Sequence, residues 1–262
     1  MKIARVQTKQ GEIVHGLVEG NFITRIEGDP FGEFKSTKTR YGLSDVTFLV
    51  PAECRTLYAT GLNFAAHGDW FFEYSGKRVP IPPRPDPGYR AINALLGHEG
   101  TVLIPYDASD EVHFEGELVA VVGKRAKRVS EAEALSYVAG FTCGNDISER
   151  KWQSQDSTFW RSKNTDTFKP IGPWIATDVD SDNLTVTTRI NGSVVQQYST
   201  SKMIFGAAAY VSTLSQYVTL FPGDMIFMGT DNATGRMKHG DVVEVDISDI
   251  GVLRHRVERE HR

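Results

Sequence analysis

The stretch that decides the fold is residues 112–150, VHFEGELVAVVGKRAKRVSEAEALSYVAGFTCGNDISER. Its first part predicts a buried strand, because residues 118–122 form an unbroken apolar run that Gly123 ends. Successive side chains of a strand point to opposite faces, so Glu115 and Glu117 share one face. Two carboxylates side by side on a largely buried strand repel each other and lose solvation. We therefore expect a positive group to compensate them.

The second part of the stretch predicts a helix followed by another strand. Ser130 and Glu133 form a capping-box pattern, which indicates a helix over residues 130–140 that Gly140 ends. A short apolar segment, residues 141–143, follows the helix. A strand–helix–strand unit can bring its two strands side by side, so residues that follow the second strand can meet residues of the first.

Asp146 is the residue that this arrangement could bring to Glu115 and Glu117, because it lies where the second strand gives way to a turn. Three hard oxygen ligands without Cys or His suit Mg²⁺, Mn²⁺ or Ca²⁺ better than zinc. The Glu-x-Glu pattern also occurs on the solvated face of edge strands, so the spacing alone leaves both interpretations open.

Composition limits the class of protein. At 262 residues the chain can hold one large domain, or a small domain and a larger one. With 40% hydrophobic and 24% charged residues it is typical of globular proteins, and a net charge of −4 argues against a nucleic-acid binder.

The cysteines and the apolar segments of the sequence bear on its compartment and on membrane association. Cys54 and Cys143 show no metal-like spacing and no disulfide framework, which favours a reducing compartment. The N-terminus lacks the apolar core of a signal peptide, and no apolar run approaches the roughly 20 residues of a membrane span. We expect a cytoplasmic protein that binds neither membrane nor nucleic acid.

Residues 114–150 and the later WRSKNTDTFKPIGPWIAT, residues 160–177, together resemble the signature of the fumarylacetoacetate hydrolase family. The similarity runs from about residue 58 to about residue 257. It implies an α+β fold, a mixed β-sandwich roll with flanking helices, and a homodimer. It also implies that Glu115, Glu117 and Asp146 bind Mg²⁺ or Mn²⁺. The composition changes near residue 50, so we predict a small β-rich N-terminal region, 1–52, and a catalytic domain, 53–262.

The resemblance also implies the other site residues. Gly61-Leu62-Asn63-Phe64 leading to His67 is similar to the family's Gly-x-Asn-Tyr…His segment, with Phe64 in place of Tyr. It implies that His67 is the catalytic base and that Lys163 stabilises developing negative charge. The expected substrate-binding residues are Phe64, Arg150, Gln153 and Thr230.

One position departs from the family's pattern. Hydrolases of the family often carry a Glu three residues after the catalytic His, and here that position is Trp70. Asp69 and Glu73 are the nearby acids that could pair with His67 instead. Residues 69–89 are dense in aromatic residues and proline, which predicts a surface lid or a dimer-facing loop.

The implied activity is metal-dependent hydrolysis of a C–C bond in a 2-oxo or 1,3-diketo acid through a stabilised enolate. The alternative is decarboxylation or isomerisation of oxaloacetate-like acids or 2-hydroxy-dienedioates, which does not need the same base pair. Loss of the family's Glu at Trp70 weakens hydrolysis specifically. An inactive binding protein with the same fold is the hypothesis from another class, and the intact Glu115, Glu117 and Asp146 count against it.

Overall fold

Strands dominate the chain, which the computed structural model describes over residues 1–262. They are β1 (Lys2–Thr8), β2 (Ile13–Glu19), β3 (Phe22–Gly28), β4 (Phe34–Gly42), β5 (Val46–Phe48), β6 (Leu57–Thr60), β7 (Pro87–Arg90), β8 (Leu95–Leu96), β9 (Thr101–Ile104), β10 (Val112–His113), β11 (Gly116–Val122), β12 (Val138–Asn145), β13 (Ser148–Glu149), β14 (Lys169–Ala176), β15 (Thr185–Ile190), β16 (Ser193–Ser199), β17 (Met225–Phe227), β18 (Val242–Ile247) and β19 (Gly251–Arg259). The helices are α1 (Ala65–Ser75), α2 (Glu131–Ala134), α3 (Arg150–Gln155), α4 (Trp160–Asn164) and α5 (Ala207–Tyr217).

Strand β11 lies in the middle of the larger sheet, between β12 and β17. Every residue of β11 is buried, as its apolar sequence predicts. It pairs antiparallel with β12 so that Glu117 lies opposite Gly144 and Gly116 opposite Asn145. In this register the C-terminal end of β12 lies beside the N-terminal end of β11, next to the two glutamates. The prediction that the two strands are neighbours is confirmed.

A second sheet, in the order β16-β15-β18-β19-β9, packs against the first. The core between the sheets includes Leu118 from β11 and Val245 from β18. At Gly116 the two sheets approach so closely that a Cβ atom would lie 2.2 Å from Thr188 Oγ1. Glycine therefore separates the two glutamates because only hydrogen fits against the second sheet there. Both sheets mix parallel and antiparallel pairs, and the expected α+β fold is confirmed.

In the N-terminal region, predicted to be β-rich, strands β1 to β4 form a meander around a small core of Ala4, Val6, Val14 and Ile23. The meander does not stand apart, because β1 pairs antiparallel with β14 and so extends the larger sheet.

Two predicted segments differ from the structure. The helix predicted over residues 130–140 spans only Glu131–Ala134, because Val138 already pairs with Val122 of β11. Sheet pairing with a buried neighbour thus overrides the local helix preference. The segment predicted as a lid or loop begins instead with α1, which ends where Gly76 adopts the left-handed conformation, φ 70°.

None of the five helices has both the length and the apolar character needed to cross a membrane.

Candidate active site

Three buried carboxylates converge where β11 and β12 meet. Ligand atoms of Glu115, Glu117 and Asp146 all lie within 4.8 Å of one another. The backbone holds them together, because the Asp146 N–H donates to the Glu115 carbonyl at 2.9 Å. Asn145 adds a second clamp, since its Oδ1 accepts a hydrogen bond from the Glu115 N–H at 2.8 Å. The structure therefore places these three residues together, as the strand pairing predicted.

Glu117 is the carboxylate that no cation neutralises. Its Oε2 accepts a hydrogen bond from the Gly229 N–H at 2.6 Å. Burial, followed by the charges of Asp146 and Glu115, raises the pKa of Glu117 well above its usual value. Gly229 has φ 90°, a conformation that favours glycine, and this turn aims its N–H at the carboxylate.

Glu115 is neutralised by two cations. Arg150 donates to Glu115 Oε1 at 2.5 Å, and the Lys163 ammonium group contacts Glu115 Oε2. Burial acts to raise the pKa of Glu115, but Lys163 and Arg150 outweigh it and bring this pKa down to about 2.

Asp146 has three cationic partners. Arg90 binds it with two hydrogen bonds, Nε to Oδ1 and NH2 to Oδ2, both at 3.0 Å. Lys163 Nζ lies 2.8 Å from Oδ2 and Lys169 Nζ lies 2.9 Å from Oδ1. Burial acts against ionisation, but these cations outweigh it and hold the pKa of Asp146 well below its usual range.

Arg90 and Lys169 were not predicted from the sequence. Lys169 is fully buried in β14, where its ammonium also donates to the carbonyls of Ile147 and Phe168, each at 3.0 Å. Burial lowers the pKa of Lys169 to about 8. The sequence did contain a signal for Lys169, because this lysine directly precedes the apolar run 170–176 and is therefore expected to be buried. A buried ammonium group needs an acidic partner. Arg90 had no comparable signal.

His67 lies on the first turn of α1 and lines the same cavity as the carboxylates. Its Nδ1 lies 2.9 Å from the carbonyl oxygen of Asn232. A carbonyl only accepts hydrogen bonds, so Nδ1 carries the proton and Nε2 is the unprotonated nitrogen. Burial lowers the pKa of His67 below 6.5, which keeps the ring neutral at pH 7. The structure thus gives His67 the state of a base.

The pairing of His67 with Asp69 or Glu73 is absent. Both acids are exposed, neither lines the cavity, and His67 bonds to Asn232. The reason is that the segment is helical, where residues three and four apart share a face but residues two and six apart do not. Trp70, three residues on, occupies the shared face and stacks on the His67 ring at 5.2 Å between centroids.

The loop of residues 229–235 supplies the Asn232 carbonyl that orients the His67 ring. Asn232 has φ 55°, a left-handed conformation that asparagine tolerates. Gln196 holds the loop in place with two hydrogen bonds, which its Nε2 donates to Thr230 Oγ1 at 3.1 Å and to the Ala233 carbonyl at 3.3 Å. Asn232 and Gln196 were missed because they come from segments remote from His67.

The expected substrate-binding residues divide into two groups. Arg150, Gln153 and Thr230 line the cavity, and Arg150 NH1 donates to Gln153 Oε1 at 2.8 Å. The Arg150 Nε–H is buried and has no partner in the protein, which leaves a donor for an anion. Phe64 is buried outside the cavity and packs edge-on against Tyr198, with ring centroids 5.1 Å apart. Phe64 therefore does not line the cavity in which its substrate contact was expected.

The cavity that joins these groups has a volume of about 820 Å³. Its inner wall carries the three carboxylates with Arg90, Arg150 and Lys163, and its outer wall carries Lys77, Arg78 and Lys151. Glu117 has no cationic partner and lies beside two further buried carboxylates, Glu115 and Asp146. This set of oxygen donors fits Mg²⁺ or Mn²⁺, because these ions prefer oxygen ligands. The residues present are thus suited to a divalent metal.

Comparison with known proteins identifies the family. Residues 56–258 match the family described as fumarylacetoacetate (FAA) hydrolase C-terminal, which covers most of the chain. The chain belongs to the fumarylacetoacetate hydrolase family. Residues 1–51 match a second family, described as Rv2993c-like, N-terminal.

Several members of the fumarylacetoacetate hydrolase family that resemble this chain carry isomerase or tautomerase names. "Oxaloacetate tautomerase Fahd2a, mitochondrial" from Rattus norvegicus is 33% identical over 82% of this chain and 70% of its own. The crystal structure of 5-carboxymethyl-2-hydroxymuconate delta-isomerase from Mycobacterium smegmatis has a TM-score of 0.90 at 34% identity, covering 99% of this chain and 100% of that one. The crystal structure of 2-hydroxyhepta-2,4-diene-1,7-dioate isomerase from Mycobacterium marinum also has a TM-score of 0.90 at 34% identity, covering 100% of both chains.

Proposed function

We propose that this protein is a divalent-metal-dependent isomerase or tautomerase of 2-oxo acids and their enols. The observation that carries the proposal is the environment of His67, whose Nδ1–H is held by the Asn232 carbonyl while Trp70 stacks on its ring. A single neutral imidazole can take a proton from carbon and return it. Hydrolysis requires in addition a base pair that holds a water, and no acid forms a hydrogen bond with His67, whose partner is the Asn232 carbonyl.

The carboxylates Glu115, Glu117 and Asp146 would hold the metal, Mg²⁺ or Mn²⁺. When bound, the metal supplies Lewis-acid charge that stabilises an enolate. Arg150 and Gln153 would bind the substrate's C1 carboxylate, since Arg150 Nε–H has no other partner and a guanidinium suits planar oxygen pairs. Lys163 adds positive charge at the same end of the cavity.

The proton steps fall to His67. Its Nε2 would take a proton from the carbon next to the 2-oxo group, which leaves the electron pair in the enolate. In tautomerisation the His67 imidazolium would then give this proton to the enolate oxygen, and in isomerisation of a dienoate it would return the proton to a different carbon. Because burial keeps the imidazole neutral at pH 7, it accepts the proton without first losing one. The aromatic stack on α1 shields this exchange from water.

The names of the relatives support this reaction class, because an oxaloacetate tautomerase and two diene-acid isomerases resemble the chain over most of its length. Decarboxylation, the other part of the sequence-based alternative, has no observation in its favour beyond the shared enolate.

The test is a substrate panel on the purified protein with Mg²⁺ or Mn²⁺. We expect enol–keto conversion of oxaloacetate, isomerisation of 2-hydroxy-dienedioates, or both, and little hydrolysis of acylpyruvates. Acylpyruvate hydrolysis faster than either proton-transfer reaction would overturn the proposal. Binding of 2-oxo acids without turnover of any panel member would favour the inactive binding protein.

A further inference from the structure

One buried hydroxyl group in the cavity wall has no hydrogen-bond partner in the protein. Thr60 is the last residue of β6, is only 7% exposed and lines the cavity. Its Oγ1 forms no hydrogen bond. Burying a hydroxyl group without a hydrogen bond costs free energy, so buried hydroxyl groups are nearly always paired. An unpaired one that lines a cavity indicates a partner that arrives with a ligand.

The Thr60 hydroxyl lies at the Glu117 end of the cavity. A Cβ atom on Gly229 would lie 2.9 Å from Thr60 Oγ1, and the Gly229 N–H donates to Glu117 Oε2 at 2.6 Å. Arg150, the other cavity residue with an unpaired buried donor, contacts Glu115 instead. The two free donors of the cavity therefore lie beside different carboxylates.

Two other polar side chains of this wall use their hydrogen-bonding groups within the protein. Asn63 donates to the carbonyls of Phe205 and Met228 at 3.1 and 2.8 Å, and its Oδ1 accepts from the Phe205 N–H at 3.0 Å. The Thr230 hydroxyl pairs with the Gln196 amide group, at 3.1 Å to Nε2 and 3.4 Å to Oε1. The lack of a partner is thus specific to one hydroxyl group of the wall.

The Tyr210 hydroxyl on α5 lies next to Thr60 and is likewise buried without a hydrogen bond. Each hydroxyl group has one proton to donate and two lone pairs that accept. If Thr60 turned its proton to Tyr210, the Tyr210 proton would be left unpaired away from the cavity, which Tyr210 does not line. If Tyr210 donates to Thr60, the remaining proton is that of Thr60, which a ligand in the cavity can accept. Only the second arrangement can pair both hydroxyl groups.

We propose that Thr60 Oγ1 donates a hydrogen bond to the 2-oxo oxygen of the bound acid. This inference rests on the proposed function, which places the C1 carboxylate at Arg150, beside Glu115. The adjacent 2-oxo oxygen then faces Glu117 and Thr60. A donor that is in place before the reaction stabilises the negative charge that this oxygen gains in the enolate. Thr60 is thus a further catalytic residue, contributed by the strand that precedes the His67 helix.

The test uses oxalate with Mg²⁺, because oxalate carries the two neighbouring anionic oxygens of an enolised 2-oxo acid and does not react. Thr60→Val replaces the hydroxyl by a methyl group of similar size. In calorimetry it should weaken oxalate binding on the order of 10- to 100-fold, the usual effect of deleting a hydrogen bond to a charged group. Thr60→Ser keeps the hydroxyl and should bind oxalate nearly as tightly as the wild type.

Thermal unfolding without ligand separates binding from folding. Since the Thr60 hydroxyl has no partner in the free protein, Thr60→Val should have a Tm at or above that of the wild type. The matched control is Thr142→Val, because Thr142 Oγ1 on β12 is also buried without a partner but does not line the cavity. Thr142→Val should likewise keep its Tm and should bind oxalate as the wild type does.

Equal oxalate affinity of Thr60→Val and the wild type overturns the proposal, and so does a wild type that does not bind oxalate. A lower Tm of ligand-free Thr60→Val would show that the hydroxyl has a structural partner, which also overturns it. Failure of the proposed function is a separate result. If the substrate panel shows mainly acylpyruvate hydrolysis, a loss of oxalate affinity in Thr60→Val but not in Thr142→Val still supports the contact.

Discussion

His67 Nδ1 lies 2.9 Å from the carbonyl oxygen of Asn232, a residue 165 positions further along the chain. This contact decides the chemistry of the imidazole, because the proton that it fixes on Nδ1 leaves Nε2 as the proton acceptor of a residue that lines the cavity. A carboxylate in the same place would have stabilised the imidazolium. The carbonyl instead favours a neutral ring that exchanges protons with a substrate.

The first prediction concerns this base. His67→Gln should lower kcat for the tautomerase or isomerase reaction by ~10²–10⁴-fold, the usual contribution of a positioned acid–base group. Calorimetric Mg²⁺ or Mn²⁺ affinity should stay the same, since His67 is not among the three carboxylate residues. The control is His239→Gln, which changes an exposed histidine. Near-normal turnover in folded His67→Gln would remove His67 from the mechanism.

The second prediction concerns Trp70, which stacks on His67 where family hydrolases often carry Glu. Trp70→Glu should place a carboxylate three residues after His67 on the same helix face and raise the pKa of His67. The acidic limb of the pH profile of kcat/KM should then move to higher pH by about one unit, because the base stays protonated longer. Trp70→Phe keeps an aromatic ring and should leave the limb in place. An unmoved limb in Trp70→Glu would show that the two side chains are not coupled.

The third prediction concerns the metal. Glu117→Gln should largely abolish Mg²⁺ and Mn²⁺ binding in calorimetry, because it removes the carboxylate that no cation neutralises. Burial and two neighbouring carboxylates raise the pKa of Glu117. The wild-type affinity for Mg²⁺ and Mn²⁺ should therefore increase with pH, because a larger fraction of Glu117 is then already ionised when the metal binds. Treatment with a chelator should remove activity in parallel. Glu73→Gln, at an exposed glutamate, is the control, and unchanged affinity in Glu117→Gln would refute the site.

The fourth prediction concerns the contact between the two sheets. A methyl group at Gly116 would lie 2.2 Å from Thr188 Oγ1, so Gly116→Ala should destabilise the fold by about 1–3 kcal/mol, the usual cost of overpacking. Thermal unfolding should show a lower Tm. Gly88→Ala is the control, because its nearest neighbour would lie at an ordinary 3.6 Å. Adding Thr188→Ala should recover part of the loss, and additive effects in this double-mutant cycle would contradict the clash.

The fifth prediction concerns His255, which is fully buried on β19 and accepts a hydrogen bond from Asn145 Nδ2 at 3.0 Å. Burial lowers its pKa from 6.5 to about 4. Between pH 6.5 and 4, His255 therefore binds a proton in the unfolded chain but stays neutral in the folded chain. Its contribution to the free energy of unfolding is complete above pH 6.5 and is lost as pH falls toward 4. His255 should contribute a loss on the order of 3 kcal/mol to the unfolding free energy across that window, in addition to the loss from other buried histidines such as His113. His255→Gln should reduce the total loss by about that contribution, and His261→Gln, at an exposed residue, should not.

The sequence by itself was enough to predict the central strand and its neighbour. It allowed Glu115, Glu117 and Asp146 to meet, and only the resemblance to the family implied that they form one site. These features depend on local signals: an apolar run, the alternation of side chains along a strand, and a turn after a second strand. The family could also be predicted, because its motifs are contiguous. The homodimer and the domain boundary at residue 52 stay predictions.

The tertiary structure decided what surrounds those residues. Arg90 and Lys169 reach Asp146 from segments 56 positions before it and 23 positions after it along the chain, and Asn232 reaches His67 from a remote loop. The partner of His67 also depended on an element that the sequence predicted as a lid or loop, since only a helix puts Trp70 rather than Asp69 beside it. Local spacing determines which residues lie near one another along a strand or helix. The charge and protonation of a buried side chain depend instead on every group that folding brings around it, whatever its distance along the chain.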